Sequence, residues 1–158
     1  MKVLLINGSP HVDGVIALAL KELSDTLNRC DIETEIIHVG NKDIRGCIAC
    51  RSCKKTGKCV FDDCVNEIAF KLKDADGLVV GAPVYYGSAN STVVSLLTRL
   101  FYSINYDLSM KVGASVVSAR RSGCTATFDE LNKFFTISGM PIVSSTYWNN
   151  IHGNNKED

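Results

Sequence analysis

The stretch KVLLINGSPHVDGVIALALKELSDTLN, residues 2–28, decides the fold. Val3, Leu4, Leu5 and Ile6 form an unbroken apolar run, the pattern of a strand buried on both faces, and Asn7-Gly8-Ser9-Pro10 ends it abruptly. Beyond the break, Ile16, Leu20, Leu23 and Leu27 recur at steps of four, three and four, which aligns them on one face of a helix over residues 15–28. A buried strand, a tight loop and an amphipathic helix together form the opening unit of an α/β sheet with parallel strands.

The unit repeats along the chain. Residues 34–39 (TEIIHV) read as a second strand, and Asp62 and Asp63 cap a helix carrying Val65, Ile68, Ala69 and Leu72 on one side. Residues 77–87 (GLVVGAPVYYG) are a third buried strand that stops at Pro83. Asn90 and Ser91 offer N-caps for a helix to about residue 102, with Val93, Leu96, Leu97, Leu100 and Phe101 inward. Residues 111–118 make a fourth strand. A helix over 127–138 follows, stopped by Gly139 and Pro141, and residues 141–148 (PIVSSTYW) are expected as the fifth strand. The polar tail 149–158 is expected to be loose. Five alternations without a repeat argue for an open parallel sheet with helices on both faces. No helix follows to cover the last strand, so a second subunit or a longer natural chain is expected there.

The 158 residues, 46% of them hydrophobic, suffice for one core, and a single domain over residues 1–158 is expected. Lys and Arg number 17, as do Asp and Glu, a balance with no general attraction to nucleic acid or an anionic membrane. The N-terminal apolar run is far shorter than the ~20 residues of a membrane span, and it does not resemble a signal peptide. A cytoplasmic protein is expected. In that reducing compartment seven cysteines point to metal or redox chemistry before disulfides.

Ligands of such sheets bind outside the carboxyl ends of the strands. Three loops lie there. In residues 7–14, the Ser9 hydroxyl and backbone N–H groups lead into a helix N-terminus, whose dipole favours a phosphate. In residues 82–91, Tyr85 and Tyr86 offer flat faces for stacking, with Gly87, Ser88 and Asn90 for close approach and polar contact. Residues 118–125 supply small side chains with Arg120 and Arg121. Singly, these read equally as a turn, a packed edge and solvated charge. Together, at one end of one sheet, they suit a mononucleotide.

GSP with Gly14, GCIACRSCKKTGKCVFDD, APVYYGSAN, SARRSG and STYWNNIHG, in that order, resemble the flavodoxin-like family of NADPH-dependent FMN reductases, which includes the iron–sulfur flavoproteins. The resemblance implies a flavodoxin-like, doubly wound, five-stranded parallel sheet of order 2-1-3-4-5, lacking the family's C-terminal helix. It also implies bound FMN, electron transfer from NAD(P)H to a quinone, free flavin or similar small acceptor, and a homodimer or homotetramer. By resemblance, Ser9, His11, Gly14, Val15 and Ile16 hold the FMN phosphate. Pro83, Val84, Tyr85, Tyr86, Gly87, Ser88 and Asn90 line the isoalloxazine ring, and Ser118, Ala119, Arg120, Ser122 and Gly123 close over its other edge. His152 approaches the flavin from a neighbouring subunit. No catalytic side chain is implied, because the flavin accepts hydride directly. The family's first loop reads roughly G-S-P-R-x-x-G-N-T, whereas this chain has His11 for Arg and Val15-Ile16 for Asn-Thr. Two polar donors, each worth about 1 kcal/mol or more, are thereby absent, and a weaker phosphate grip is expected.

Cys47, Cys50, Cys53 and Cys59 are spaced to wrap a [4Fe–4S] cluster, as iron–sulfur flavoproteins do, or, less favourably, a Cys₄ zinc ion. The same stretch also resembles metal-free FMN reductases, and Arg45, Arg51, Lys54, Lys55 and Lys58 would equally activate thiols. The balance favours a metal-free loop near the flavin edge. Cys30 and Cys124 read as small buried hydrophobes, and His38 as structural. An FMN-dependent NAD(P)H oxidoreductase is therefore the leading expectation. An iron–sulfur electron carrier is the alternative, and a non-catalytic cysteine-rich binding module with an impaired FMN site is a third.

Overall fold

The computed structural model describes residues 1–153 and 155–157. The first strand, β1 (Lys2–Asn7), runs into α1 (Val15–Arg29), as the opening stretch dictates. The chain continues through β2 (Glu33–His38), the short helix α2 (Cys53–Thr56), α3 (Cys64–Asp74) and β3 (Gly77–Tyr85). Then come β4 (Ser88–Ala89), α4 (Ser91–Ser103), β5 (Val112–Ala119), α5 (Cys124–Ile137) and β6 (Asn150–His152). The main sheet is parallel in the order β2-β1-β3-β5-β6, with β4 turned back antiparallel on the end of β3. With that hairpin set aside, this is the 2-1-3-4-5 order implied by the resemblance.

Alternation along β1 sorts the core into two layers. Leu4 and Ile6, with Leu78 and Val80 of β3, face α3, α4 and α5 and pack on Val65, Ile68, Leu72, Val93, Leu96, Leu97, Phe128 and Phe135. Leu5 and Val79 face the other way, onto Ile16 and Leu20 of α1. Asp63 caps α3 by accepting from the Val65 N–H at 3.1 Å, as expected of it. Among the described residues no helix is long and apolar enough to cross a membrane.

Five expectations change. The third strand does not stop at Pro83 but continues to Tyr85, because Val84 and Tyr85 pair with β4 in the hairpin. Residues 141–148 do not form the fifth strand. Ile142 makes one parallel bridge to Gly113, and the edge strand is Asn150–His152, paired with Val117 to Ala119. Local polar side chains account for the difference: the Ser144 and Ser145 hydroxyls donate to the Tyr147 carbonyl at 2.7 and 2.8 Å, and the Asn149 amide donates to the Ser115 carbonyl at 3.1 Å. They draw the backbone out of the ladder. The tail expected to be loose therefore begins as sheet, while Asn154 and Asp158 lie outside the described residues. The last helix starts at Cys124 rather than 127, because Gly123, at φ 96°, turns the chain into it early. Cys30 is exposed, ending α1 rather than filling the core, whereas Cys124 is buried.

Behind the sheet, the Tyr106 hydroxyl donates to the Ala69 carbonyl at 2.6 Å and ties the loop after α4 to α3. Burial of the hydroxyl, with the Asp74 charge as a second cause, pushes its pKa up to about 12. The fold favours the neutral phenol, so this contribution is complete below the ordinary value of 10.0 and fades as pH rises toward about 12. Tyr106→Phe is expected to lose about 1 kcal/mol at neutral pH. Its melting temperature, followed by circular dichroism, should fall less steeply than that of the wild type across that alkaline window, and parallel slopes would refute this assignment.

Candidate functional site

The loop after β1 is braced from three sides. The Gly8 N–H donates to the Gly81 carbonyl of β3 at 2.8 Å, and the Asn90 amide donates to the Gly8 carbonyl at 2.8 Å. His38 Nε2, at the end of β2, lies 2.8 Å from the Ser9 carbonyl, so the ring donates there. His38 is structural, as expected, and the structure it serves is this loop. Within the loop, the Ser9 N–H donates to Asn7 Oδ1 at 3.0 Å and the His11 N–H to Ser9 Oγ at 3.1 Å. Gly40 packs so tightly beneath it that a Cβ there would lie 1.9 Å from the Ser9 carbonyl oxygen.

A cleft of 660 Å³ opens above this loop, lined by Ser9, His11, Asp13, Gly14, Val15, Ile16, Pro83, Val84, Tyr85, Ser118 and Arg120, with Gly153, Asn155, Lys156 and Glu157. Its floor is the start of α1, where Gly14 is the N-cap and, among the described residues, no side chain caps the first turn. Those backbone donors, with the helix dipole behind them, suit an anionic group. The Ile16 side chain is only 1% exposed and belongs to the α1 core layer. The polar pair missing at Val15 and Ile16 thus leaves backbone amides as the donors, and Arg120 and Lys156 bring positive charge to a lining that also holds Asp13 and Glu157. Lys156 pairs with Asp13. The donor set and the volume fit an FMN phosphate and ring.

The other residues assigned by resemblance stand outside this lining. Tyr86 and Gly87 form the two-residue turn between β3 and β4, both at positive φ (54° and 76°). That is the backbone of a tight hairpin, in which a tyrosine is strained. Tyr86 is fully exposed at the tip and Tyr85 half-exposed below it. The Ser88 hydroxyl donates to both Glu130 oxygens, at 2.9 and 2.8 Å, and the Ala89 N–H donates to the same carboxylate. Ser88 therefore braces the hairpin against α5 instead of facing the cleft. Asn90 is buried and committed to Gly8, although among the described residues its Oδ1 has no hydrogen-bond partner. Ala119 is buried, Ser122 is exposed, and Gly123 packs against Val84 and Gly87. His152 is exposed on β6, and Trp148 packs on Tyr147 with ring centroids 5.0 Å apart and planes tilted by 42°.

The cysteine loop builds a second cavity. Cys47, Cys50, Cys53 and Cys59 all line one space of 620 Å³, closed by Ile48, Val60, Phe61, Thr98, Arg99 and Tyr102. Among the described residues it shares no lining residue with the cleft. Its wall comes from the second half of α4, which runs away from the carboxyl end of β3. Ala49 and Arg51 hold positive φ (54° and 59°), an alternation costly for residues with a Cβ. The Ala49 N–H consequently donates to Cys47 Sγ at 3.4 Å. The Cys53 thiol donates to the Tyr102 carbonyl at 3.5 Å.

Arg99, which the sequence pattern left unnoticed at the flank of the α4 apolar stripe, is fully buried within this wall. It donates to Asp63 through both terminal nitrogens, at 2.6 and 2.8 Å, to the Arg45 carbonyl at 3.3 Å, and through Nε to Cys59 Sγ at 3.3 Å. Burial opposes its charge, but the bonds to Asp63 and Cys59 outweigh that and hold its pKa above the ordinary value. Burial and the neighbouring Asp63 push the Cys64 thiol pKa up. Among the described residues no three Cys, His, Asp or Glu side chains converge tightly enough for a single metal ion. A zinc ion, ~2.3 Å from each sulfur, needs that convergence. A cubane cluster spreads its thiolates more widely, and four thiols around one cavity with N–H groups aimed at sulfur fit it.

An iron–sulfur flavoprotein of Methanocaldococcus jannaschii is 37% identical over 146 residues, covering 90% of this chain and 76% of that protein. An iron–sulfur flavoprotein of Methanosarcina thermophila is 33% identical over 151 residues, covering 90% of this chain and 77% of that one. The fold superposes on an NAD(P)H:quinone oxidoreductase from Methanothermobacter marburgensis with a TM-score of 0.74 at 14% identity, covering 100% of this chain and 86% of that chain. The sequence model of the NADPH-dependent FMN reductases matches residues 1–155, and the chain belongs to that FMN-binding family of flavin oxidoreductases.

Proposed function

We propose that the chain is an iron–sulfur flavoprotein, an electron-transfer oxidoreductase that couples FMN in the cleft above α1 to a [4Fe–4S] cluster on Cys47, Cys50, Cys53 and Cys59. The observation that carries this reading is the common cavity of the four thiols, and the names of the two relatives support it. It reverses the preference for a metal-free loop.

FMN, when bound, supplies two-electron chemistry that can be divided into single electrons, and the cluster supplies one-electron exchange. The chain's own work is positioning. The first-turn amides of α1 and the Ser9 hydroxyl receive the phosphate, Arg120 and Lys156 add charge at the mouth, and Pro83 to Tyr85 flank the ring. His38 and Asn90 keep the loop from relaxing when the cleft empties. The terminal partner is a small acceptor, a quinone or a free flavin.

Anaerobic purification followed by iron, acid-labile sulfide and FMN analysis tests the reading. About four irons and four sulfides per chain beside one FMN are expected. A yellow protein that takes up neither iron nor sulfide on reconstitution would overturn it.

A second reading, NAD(P)H oxidation by the flavin alone, draws on one observation: among the described residues the cleft is complete without any cysteine. Under it, a Cys47→Ser/Cys50→Ser variant would oxidise NAD(P)H with quinone at the wild-type rate. Under the first reading, transfer to a one-electron acceptor falls sharply in the same variant.

A further inference from the structure

Cys59 stands apart from the other three cysteines in how firmly it is held. Its N–H donates to Asn66 Oδ1 at 2.8 Å, and its carbonyl accepts from Asn66 Nδ2 at 3.1 Å. Its sulfur receives the Arg99 Nε–H at 3.3 Å. Cys47 and Cys50 are exposed, and among the described residues the sulfur of Cys59 is the one that receives a charged donor.

The donor is itself immobile. Asp63 grips the two terminal nitrogens in the bidentate geometry that fixes a guanidinium plane. The Arg45 carbonyl accepts a further hydrogen bond from it, and the Arg99 and Arg45 guanidiniums lie over the Phe61 ring, 4.9 and 4.7 Å from its centroid. Asp63 takes the two terminal nitrogens and leaves Nε free for another partner. Here Nε, the remaining edge of the fork, is aimed at a thiol sulfur. Burying a charge in this way is costly unless it is fully partnered, and replacing such a pair by apolar groups is often neutral or stabilising. A long-range pair kept under those terms calls for a role beyond stability.

We infer that Arg99 is a positioning residue for the [4Fe–4S] cluster, holding Cys59 as the fixed ligand and favouring the reduced cluster through its charge and its N–H···S bond. This rests on the cluster reading given above. Reduction adds one electron, supplied by dithionite in a titration, and so one unit of negative charge beside a buried cation. N–H donors to sulfur and local positive charge both favour the reduced form. Asp63 orients the guanidinium and offsets part of its field from the far side.

The test uses the reconstituted holoprotein. Arg99→Met alone strands the Asp63 charge, so the informative variant is Arg99→Met/Asp63→Asn, which removes both charges and retains a side-chain oxygen to cap α3. It is read beside Arg99→Lys, which keeps the charge and loses the fork. Each is examined by thermal melting, FMN content, iron content and a dithionite titration followed by electron paramagnetic resonance. The double variant is expected to melt within a few degrees of wild type and keep its FMN. Its cluster should be about tenfold harder to reduce, a shift of about 59 mV to more negative potential for a one-electron couple. Arg99→Lys should recover part of that shift. Double-variant protein with a wild-type midpoint and full iron leaves Arg99 as a structural ion pair and overturns the inference. Wild-type protein that takes up no iron overturns the cluster reading and Arg99's role with it. Double-variant protein that loses FMN and melts early while wild type holds both also counts against it, because the pair would then be maintaining the fold.

Discussion

Asp63→Ala is expected to lower stability by about 4 kcal/mol. Two terms add. Removing the carboxylate strands the Arg99 guanidinium, whose side chain has no exposure, and breaking a buried pair from one side costs about 3 kcal/mol or more. The lower end of that range applies because the Asp63 side chain keeps 24% of its surface. The same carboxylate caps α3, a bond worth about 1 kcal/mol. For a chain of this length each kcal/mol moves the melting point by roughly 2–4 °C, so thermal denaturation of the apoprotein should show a drop on the order of 10 °C. Asp63→Asn, which keeps the cap, should recover about a quarter of the loss. A wild-type melting point for Asp63→Ala would mean that the pair is not buried as described.

Gly40→Ala should weaken FMN binding by about tenfold to a hundredfold, or 1.4 to 2.8 kcal/mol. The added methyl would lie 1.9 Å from the Ser9 carbonyl oxygen and 2.1 Å from its carbon, and neither is a side chain that can rotate away. The loop must shift, and that shift opposes the His38 and Asn90 braces that set its shape. Overpacking of this kind costs about 1–3 kcal/mol. Gly46→Ala is the control, because a Cβ there meets nothing within 4 Å. Fluorescence titration of FMN into both apoproteins measures the difference, and equal affinities would disprove the account of the loop.

Strand and helix were legible wherever a run of apolar residues had one period. Val3 to Ile6 lie in a strand with a buried core as read, the strand read from residue 77 is there but runs past Pro83 to Tyr85, and the α1 and α4 stripes lie where their spacing put them. Periodicity failed where side chains took over the backbone's bonding. In residues 144–149 Ser and Asn satisfied main-chain groups, and a plausible strand became an irregular segment. The family resemblance found most of the cleft lining but could not tell a residue facing it from one holding it in place, as with Ser88 on Glu130 and Asn90 on Gly8. Arg99 and Asp63 are 36 positions apart, and neither a capping aspartate nor an arginine at the edge of an apolar stripe announces its partner. The separation of cavity from cleft was equally hidden, since it depends on the direction in which α4 runs.

That helix has a consequence for the chain's tolerance of length changes. Asn90, just ahead of α4, is tied to the loop after β1, and Arg99, within it, is tied to the cysteine cavity. The intervening rise is about 13 Å at 1.5 Å per residue. One residue inserted between them would turn Arg99 by about 100° away from Asp63 and Cys59, and three or four would restore the facing only at a displacement near 5 Å. Point substitutions at half-exposed Val94 or Ser95 leave both ends where they are. The helix is thus a ruler between two chemistries, and homologous chains that keep both ends in use should vary in its letters but not in its count.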